Sequence, residues 1–181
     1  MVQTKNQIMK KVFLFVLVAA SLVACTNADK KTTETVEATT EKVEHLYKPT
    51  YTDNFKMGDQ KNVLLAEQFH KSIIEKNFTA VGDMISDTAL MNAEDGSTLK
   101  GKAAIMEYLE KSMTGVTLTN YQIAGIFAVV GENGHQWVDM WDEADVVMAD
   151  GKTQKVAWMD AFRFEGGKIV HFVGFVKAVK N

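Results

Sequence analysis

The chain has 181 residues, of which 46% are hydrophobic and 24% are charged, with a net charge of −3 and a single cysteine. One cysteine allows no internal disulfide, and no basic stripe of the kind that binds nucleic acid occurs, so we expect no nucleic-acid partner. The length is sufficient for one domain with its own core in addition to leader segments.

The first 24 residues have the layout of a secretory signal. Lys5, Lys10 and Lys11 precede a run, residues 12–23, in which nearly every side chain is apolar or small. Twelve residues of helix span roughly 18 Å, too little for a hydrocarbon core about 30 Å thick. We therefore predict a cleaved signal peptide over residues 1–24.

The sequence Leu22-Val23-Ala24-Cys25 resembles the lipobox of bacterial lipoproteins. The resemblance implies cleavage before Cys25, lipidation of this cysteine and tethering of the mature chain to a membrane. Thr26 rather than Asp follows it, which by analogy with enteric lipoprotein sorting favours an exported protein of the cell envelope, at the outer membrane facing the periplasm or the surface. The alternative is an ordinary signal peptide that happens to contain a cysteine.

Residues 25–50 are rich in Thr, Glu, Lys and Ala, with almost no large apolar residue before Leu46. Such a segment cannot bury enough surface to offset its ordering entropy. We predict a flexible tether after the lipidated cysteine, followed by one domain over residues 51–181. Without the signal, 17 basic residues face 23 acidic ones, so the mature chain has a net charge of about −6.

Helical spacing dominates the first half of the domain. Apolar residues recur on one face over residues 63–77, and Leu65, Ala66, Phe69 and Ile73 form this face. A second short helix is predicted over 78–85 and a third from Lys102 to about Met113. Between these two helices, the pattern indicates a strand over 88–92 and a turn over 94–97.

From residue 116 onward the sequence is rich in β-formers. Four long strands are predicted, over residues 116–130, 135–148, 153–165 and 168–179, separated by glycine-containing turns. Three helices followed by long antiparallel strands are typical of an α+β fold.

The segment from Trp158 to Val170 resembles the C-terminal hairpin of SnoaL-like proteins, which belong to the nuclear transport factor 2-like (NTF2-like) superfamily and typically read Asp-x-Phe-Arg-x-x-x-Gly-Lys-Ile there. The segment from Leu99 to Ile105 resembles the approach to the third helix in the same family. The resemblance implies a cone-shaped α+β fold, with three N-terminal helices packed in a strongly curved antiparallel or mixed sheet and a pocket at the open end. Members include cyclases, isomerases, dehydratases and proteins that only bind or dimerise, so fold does not settle function.

The resemblance also indicates which catalytic positions differ. Cyclising or hydrolytic members often continue as Gly-Lys-Ile-x-Glu-His-Trp-Asp, and their His and final Asp reach the pocket. Phe172 and Gly174 stand at those positions here, so the usual catalytic set is incomplete and only Asp160 is retained. Asp160 is then either a general acid or base in an apolar pocket or a structural hydrogen-bonding residue.

The hairpin around Asp150-Gly151 decides which residues share the face of Asp160. A two-residue loop puts Asp160 opposite Trp141 and Trp158 opposite Glu143. A three-residue loop would instead bring a different set to that face, namely Val138, Met140, Asp142 and Ala144. On the two-residue register, we predict a ligand-binding pocket lined by Trp137, Trp141, Trp158, Phe172, Asp139 and Glu143.

Neither a metal nor a cofactor is expected. The acidic run of the second long strand is scattered over both faces by alternation and is interpreted as a solvated surface; it comprises Asp139, Asp142, Glu143, Asp145 and Asp150. His70 lies beside the apolar face of the first helix and is interpreted as a boundary residue rather than a ligand.

Three functions fit these features. The first is a membrane-anchored domain that binds a small, mostly apolar molecule in the cone pocket without a complete catalytic set. The second is an enzyme of isomerase, dehydratase or cyclase type with Asp160 as general acid or base. The third is an interaction module that forms a homodimer through the outer sheet face, with Met140, Met148 and Met159 as surface residues.

Overall fold

The computed structural model describes residues 44–179. The predicted signal peptide, Cys25 and most of the predicted tether therefore lie outside the described residues. The chain divides into the units Met1–His45 and Leu46–Asn181, and nearly all of the first unit lies outside the described part. No helix within residues 44–179 is both long enough and apolar enough to span a membrane.

The described chain contains three helices and seven strands. The helices are α1 (Gln60–Ile74), α2 (Phe78–Met84) and α3 (Lys102–Ser112). The strands are β1 (Phe55–Met57), β2 (Ile85–Asn92), β3 (Thr98–Lys100), β4 (Val116–Gly131), β5 (Gln136–Met148), β6 (Thr153–Glu165) and β7 (Lys168–Ala178). The predicted helices and long strands are confirmed. The short strands β1 and β3 were not predicted, because three residues carry too little alternation to be recognised.

Local capping fixes the starts of α1 and α2. Asp59 Oδ1 accepts a hydrogen bond of 2.9 Å from the backbone N–H of Lys61. Asn77 Oδ1 accepts one of 3.2 Å from the backbone N–H of Ala80. Each contact satisfies one of the N–H groups that the first turn of a helix leaves without an intrahelical partner.

One mixed sheet contains all seven strands, in the order β1-β4-β5-β6-β7-β2-β3. Its neighbours are antiparallel except for β2 and β7, which are parallel. The pairing of β4 with β5 is interrupted between Thr119 and Gln122, where Asn120 has a positive φ of 53°. Such irregularities bend a strand, and the sheet is strongly curved and not closed. The predicted α+β cone is confirmed.

The β5–β6 hairpin has a three-residue loop, residues 149–151. The backbone N–H of Met148 donates to the carbonyl of Lys152 at 2.9 Å, and Gly151 has a φ of 81°. A three-residue hairpin loop places its last residue in the left-handed region, which glycine adopts without steric cost.

This loop sets the register between β5 and β6. Met140 pairs with Asp160 and Asp142 pairs with Trp158. The two-residue register predicted from the sequence is therefore wrong. A shift of one residue exchanges the two faces of a strand, so the residues of β5 expected inside the cone lie outside it.

An aromatic cluster forms the centre of the core. The rings of Phe162 and Phe172 stack in parallel with centroids 4.7 Å apart, and Phe69 from α1 packs edge-on against Phe162 at 5.5 Å. Phe162 is fully buried and Phe164, next but one along β6, is 3% exposed. Burial of each such side chain contributes about 1.5–3 kcal/mol, so this cluster holds α1 against the sheet.

Candidate functional site

A cavity of about 220 Å³ lies between the inner face of the sheet and helices α1 and α3. At about 30 Å³ per water molecule this volume corresponds to roughly seven waters, enough for a small organic molecule. Most of the wall is apolar, with Ile73, Leu109 and Met113 among its residues. Six titratable side chains interrupt that wall, namely His70, Glu94, Tyr108, Tyr121, Asp142 and Asp160.

Helix α1 brings His70 into the cavity. His70 follows Ala66 by four residues, and both face the sheet as Phe69 does, because residues three and four apart share one face of a helix. Ala66 is fully buried and leaves no bulk beneath this part of the helix. The imidazole therefore reaches the strands below it.

Strand alternation brings two carboxylates to the same place. On β5, the buried inner face includes Asp142, with Met140 and Ala144 on either side of it. On β6, the inner face includes Asp160, two residues before Phe162. As whole residues, Asp142 is 3% exposed and Asp160 is 2% exposed.

His70 lies between these two carboxylates. Its Nδ1 is 3.3 Å from Asp142 Oδ2, and its Nε2 is 3.3 Å from Asp160 Oδ2. A protonated imidazole can donate to both acids at once, whereas the neutral ring can donate to only one of them. The cluster can therefore hold, take up or release a proton at the wall of the cavity.

Burial raises the pKa of Asp142, because the charged carboxylate is removed from water. The neighbouring His70 and the Tyr121 hydroxyl act in the opposite direction, and the negative charge of Asp160 adds to the increase. Burial is the largest of these effects, so the ionised form of Asp142 is disfavoured in the folded protein.

Tyr121 covers the other side of the imidazole. Its ring stacks on His70 with centroids 6.0 Å apart and an angle of 25° between the planes. Burial raises the pKa of the Tyr121 phenol, and the adjacent carboxylates of Asp142 and Asp160 raise it further. The phenol therefore keeps its proton and can act as a hydrogen-bond donor towards the cluster or a ligand.

Glu94 lies at the rim of the cavity, in the turn between β2 and β3. Its carboxyl group has a raised pKa, first through burial and then through the negative charge of Asp160, while the Trp158 indole acts against this increase. Tyr108, also on the wall, has a raised pKa through burial and through the charges of Asp95 and Glu94. The rim thus adds a third carboxyl group to the acidic side of the cavity.

Three buried carboxylate oxygens of the cluster have no hydrogen-bond partner among residues 44–179. These are Asp142 Oδ1, Asp142 Oδ2 and Asp160 Oδ1, of which Asp142 Oδ2 has only the ion-pair contact with His70 at 3.3 Å. Buried polar atoms are almost always partnered in folded proteins. The cluster therefore has unused capacity to accept hydrogen bonds.

Three of the sequence-predicted site residues line this cavity: Trp158, Asp160 and Phe172. Phe172 supplies a wall and belongs to the core stack, being 8% exposed. Gly174, at the position of the missing acid, leaves space beside Asp160, since a Cβ there would lie 3.0 Å from Asp160 Oδ1. The backbone of β7 therefore approaches the carboxylate closely.

The other four predicted pocket residues lie on the outer face of β5, so their predicted placement in the pocket was wrong. They are Trp137, Asp139, Trp141 and Glu143. Trp141 is 41% exposed and packs against the ring of Phe127.

The other outer-face residues make their own contacts. The Trp137 indole N–H donates to Tyr51 Oη at 2.8 Å, and Glu143 forms an ion pair with Lys155 at 2.6 Å. Burial raises the pKa of Asp139. Met140, which was expected at a surface, is instead fully buried.

The interpretation of Asp142 as part of a solvated run was wrong, because this residue is buried. His70 has the intermediate burial of a boundary residue, but its contacts with two buried acids were not predicted. The signal for His70 was its spacing from Ala66, which placed it on the buried helix face. For Asp142 the signal was the alternative hairpin with a three-residue loop, which places this residue on the same face as Asp160. The roles of Glu94, Tyr108 and Tyr121 depend on how the helices and turns lie over the sheet, for which the sequence carried no local signal.

Comparison with known proteins identifies the class. Residues 66–172 match the SnoaL-like domain family, and the chain belongs to this family within the NTF2-like superfamily. A comparison with curated proteins found no match.

Solved structures share the fold at low sequence identity. An LEH-like epoxide hydrolase from M. tuberculosis has a TM-score of 0.53 and 14% identity, over 65% of this chain and 84% of that one. A provisionally named isomerase from Rhodopseudomonas palustris has a TM-score of 0.55 and 13% identity, over 67% and 92%. A second such isomerase, from Bacillus subtilis, has a TM-score of 0.53 and 16% identity, over 65% and 87%. At these identities the likeness concerns the fold alone.

Proposed function

We propose that this SnoaL-like domain binds a small, mostly apolar molecule inside the cone, with the molecule's polar end against His70, Asp142 and Asp160. The observation that carries the proposal is a mostly apolar cavity of about 220 Å³ with this buried polar cluster in its wall. Sites for small molecules typically combine an apolar cavity with a few convergent polar groups.

The relatives are consistent with a small-molecule site. The similar folds include proteins described as an epoxide hydrolase and as isomerases. The support for the present chain comes from its own cavity, because a fold can host many unrelated functions.

Native mass spectrometry of the full chain, released from detergent micelles after incubation with a mixture of small molecules, tests this function. We expect a retained adduct of low mass. Gly174→Ala should weaken its retention, because the new Cβ forces the Asp160 carboxylate to shift by a few tenths of an ångström. Gly82→Ala is the matched control, since a Cβ on α2 meets only Met106 at an ordinary 3.7 Å. Equal retention by both variants would place the adduct outside the cavity and contradict the proposal.

A second function, proton-transfer catalysis of isomerase, dehydratase or cyclase type, is favoured by the position of His70 between two acids. Asp160 would take or give the proton at the substrate, and His70 would exchange it with Asp142 through its two ring nitrogens. The raised pKa of Asp142 suits an acid–base role because it brings the carboxyl group closer to neutral pH.

Substitution of the reacting acid separates catalysis from binding. Asp160→Asn should abolish turnover of any substrate found for the wild-type chain while the variant still retains the ligand and unfolds at an equal or higher temperature. Retained turnover would exclude Asp160 as general acid or base. A variant that unfolds at a clearly lower temperature would assign Asp160 a structural role.

A homodimer through the outer sheet face is a third proposal. Trp141, Met159 and Phe175 pair across β5, β6 and β7, which places them in one row, and they are 41%, 45% and 64% exposed. Exposed apolar rows of this kind mark interaction surfaces.

Sedimentation of the full chain in density-matched detergent tests for the dimer. Phe175→Glu should shift the protein to monomer, whereas Leu64→Glu should not, because Leu64 is similarly exposed (58%) but lies on α1. A wild-type chain that is monomeric at micromolar concentration would exclude the dimer.

Membrane anchoring through lipidated Cys25, at the cell envelope, also remains a proposal. Its support is the signal-like sequence and the lipobox-like run that ends at this cysteine. Intact-mass analysis of the chain expressed in a bacterium should find an N-terminus at residue 25 with an added acylated group, and Cys25→Ser should lack both. An unmodified Cys25 would contradict anchoring and leave the cavity proposal unaffected.

A further inference from the structure

We propose that the polar end of the ligand is an organic cation, an ammonium or a similar protonated amine, rather than a carboxylate, a phosphate or a neutral hydroxyl. This inference rests on the proposed ligand-binding function and names the chemical class of the ligand.

The charges of the cavity wall favour a cation. Three carboxyl groups line it, those of Glu94, Asp142 and Asp160, against one basic side chain, His70, and no lysine or arginine of the described chain lines it. When the three carboxyl groups are ionised the wall has a net negative charge, with His70 neutral or protonated, and a bound cation itself favours their ionised forms. An anionic ligand would meet repulsion there, with no cation free to balance it.

The burial of the acids strengthens this preference. The side chains of Asp142 and Asp160 are 1% and 3% exposed, so neither is well hydrated. Each has an Oδ1 without a hydrogen-bond partner in the described chain. Buried ionised carboxylates require a paired charge, and His70 supplies at most one positive charge for two of them. A protonated amine supplies the second charge together with N–H donors for the vacant oxygens.

The remaining wall suits the organic part of such a ligand. Tyr108, Tyr121, Trp158 and Phe172 surround the cavity with aromatic side chains. Aromatic faces attract cations and also pack against apolar groups. A molecule with an apolar body and one ammonium group therefore matches both the apolar and the acidic sides of the cavity.

A metal ion is the other cation to consider. Ligand atoms from His70, Asp142 and Asp160 lie within 4.8 Å of one another. However, His70 stands between the acids, and each ring nitrogen faces a different carboxylate at 3.3 Å. Metal ligands converge on one point about 2.0–2.2 Å away, whereas this arrangement surrounds an imidazole. The large apolar cavity beside the cluster also exceeds the needs of a single ion, so we favour the organic cation.

Three ligands of similar shape test the inference directly: cyclohexylmethylamine, cyclohexylmethanol and cyclohexanecarboxylate. Their dissociation constants are measured by calorimetry with the full chain in detergent at pH 8, where an alkylamine is protonated. We expect the amine to bind roughly tenfold or more tightly than the alcohol, the size expected for a hydrogen bond to a charged group. The carboxylate should bind most weakly.

Substitutions of the two buried acids test whether the preference for the amine arises at the cluster of His70, Asp142 and Asp160. Asp160→Asn and Asp142→Asn should each reduce the preference for the amine over the alcohol several-fold, because each removes one of the negative charges that pair with the ammonium group. Using both protects the test against one variant that fails to fold. Glu143→Gln removes a carboxylate from the outer face and should change neither affinity, which controls for the net charge of the protein.

The outcomes separate the two proposals. An alcohol or carboxylate that binds as tightly as the amine overturns the cationic ligand and leaves the binding function standing. A complete absence of binding by all three compounds, together with no adduct in the native mass spectrum, overturns both. Zn²⁺ or Mn²⁺ that binds one to one and prevents amine binding identifies a metal centre and overturns the organic cation.

Discussion

The substitution Asp142→Asn tests whether the buried cluster costs folding free energy. The Asp142 side chain is 1% exposed, and burial raises its pKa above the ordinary value of 3.8. The folded state therefore binds this proton more readily than the unfolded state does. For a raised carboxyl pKa, the stabilising contribution is present below the unfolded-state pKa and is lost as the pH rises through the folded-state pKa. Asparagine has no charge to lose and avoids this penalty.

The structure sets the magnitude of the change. A buried polar group without adequate partners costs about 1–3 kcal/mol, and the ion pair with His70 at 3.3 Å offsets part of this cost. We therefore expect Asp142→Asn to raise the free energy of unfolding at pH 8 by about 1–2 kcal/mol, or about 3–8 °C in Tm for a domain of this size. The difference should shrink as the pH falls towards 4, because the wild-type carboxyl group becomes protonated.

Urea unfolding of both proteins at pH 8, 6 and 4, followed by tryptophan fluorescence, measures this difference. The control is Asp83→Asn, which makes the same chemical change at an exposed position and should alter stability by less than about 0.5 kcal/mol. The reasoning is refuted if Asp142→Asn is less stable than the wild type at pH 8, or if the difference does not vary with pH. The first result would mean that the ion pair with His70 outweighs the cost of burial, and the second that folding leaves the pKa of Asp142 unchanged.

Three further substitutions test the packing. Phe162→Ala should lower the free energy of unfolding by about 3–5 kcal/mol, because Phe162 is fully buried in the aromatic stack; urea unfolding checks this, with Phe55→Ala on the edge strand β1, where Phe55 is 46% exposed, as control. Asp59→Ala removes the cap of α1 and should cost about 1 kcal/mol, measured in the same way; an unchanged midpoint would show that the cap contributes nothing. Gly125→Ala should displace the Trp141 indole, since a Cβ there would lie 2.7 Å from Trp141 Cε3, and the emission maximum of tryptophan should shift. No shift would mean that the backbone moves instead.

Most of the fold could be predicted because its signals are local. The apolar spacing of α1 and the alternation in the long strands each depend on neighbouring residues only. The prediction of which face of β6 is buried was correct for the same reason. Asp160 shares that face with Phe162 and Phe164 in either register of the adjoining strand β5. Placing these residues on one face did not require knowledge of how the helices and strands pack.

The composition of the site depended on one feature that the sequence leaves open. The dipeptide Asp150-Gly151 is compatible with hairpin loops of two or three residues, and the loop length decides which face of β5 turns inward. The choice of two residues placed Trp141 and Glu143 in the pocket and Asp142 outside it, whereas the structure has the opposite arrangement. The partner of Asp142, His70, lies 72 positions earlier in the chain, and their contact depends on where α1 lies over the sheet.

The same shift of one residue links the inner site to the outer face. With Asp142 inside, the acidic side of the cavity gains a buried carboxylate and the imidazole gains a second acid to contact. Trp141 must then point outward, where it pairs with Met159 and, through β6, lies in line with Phe175. A register with Trp141 inside would have put Asp139 and Glu143 in the cavity in place of Asp142, and the outer face would lack this row. The contact between His70 and Asp142 and the dimer proposed for the outer face therefore depend on a single structural feature, the length of the β5–β6 loop.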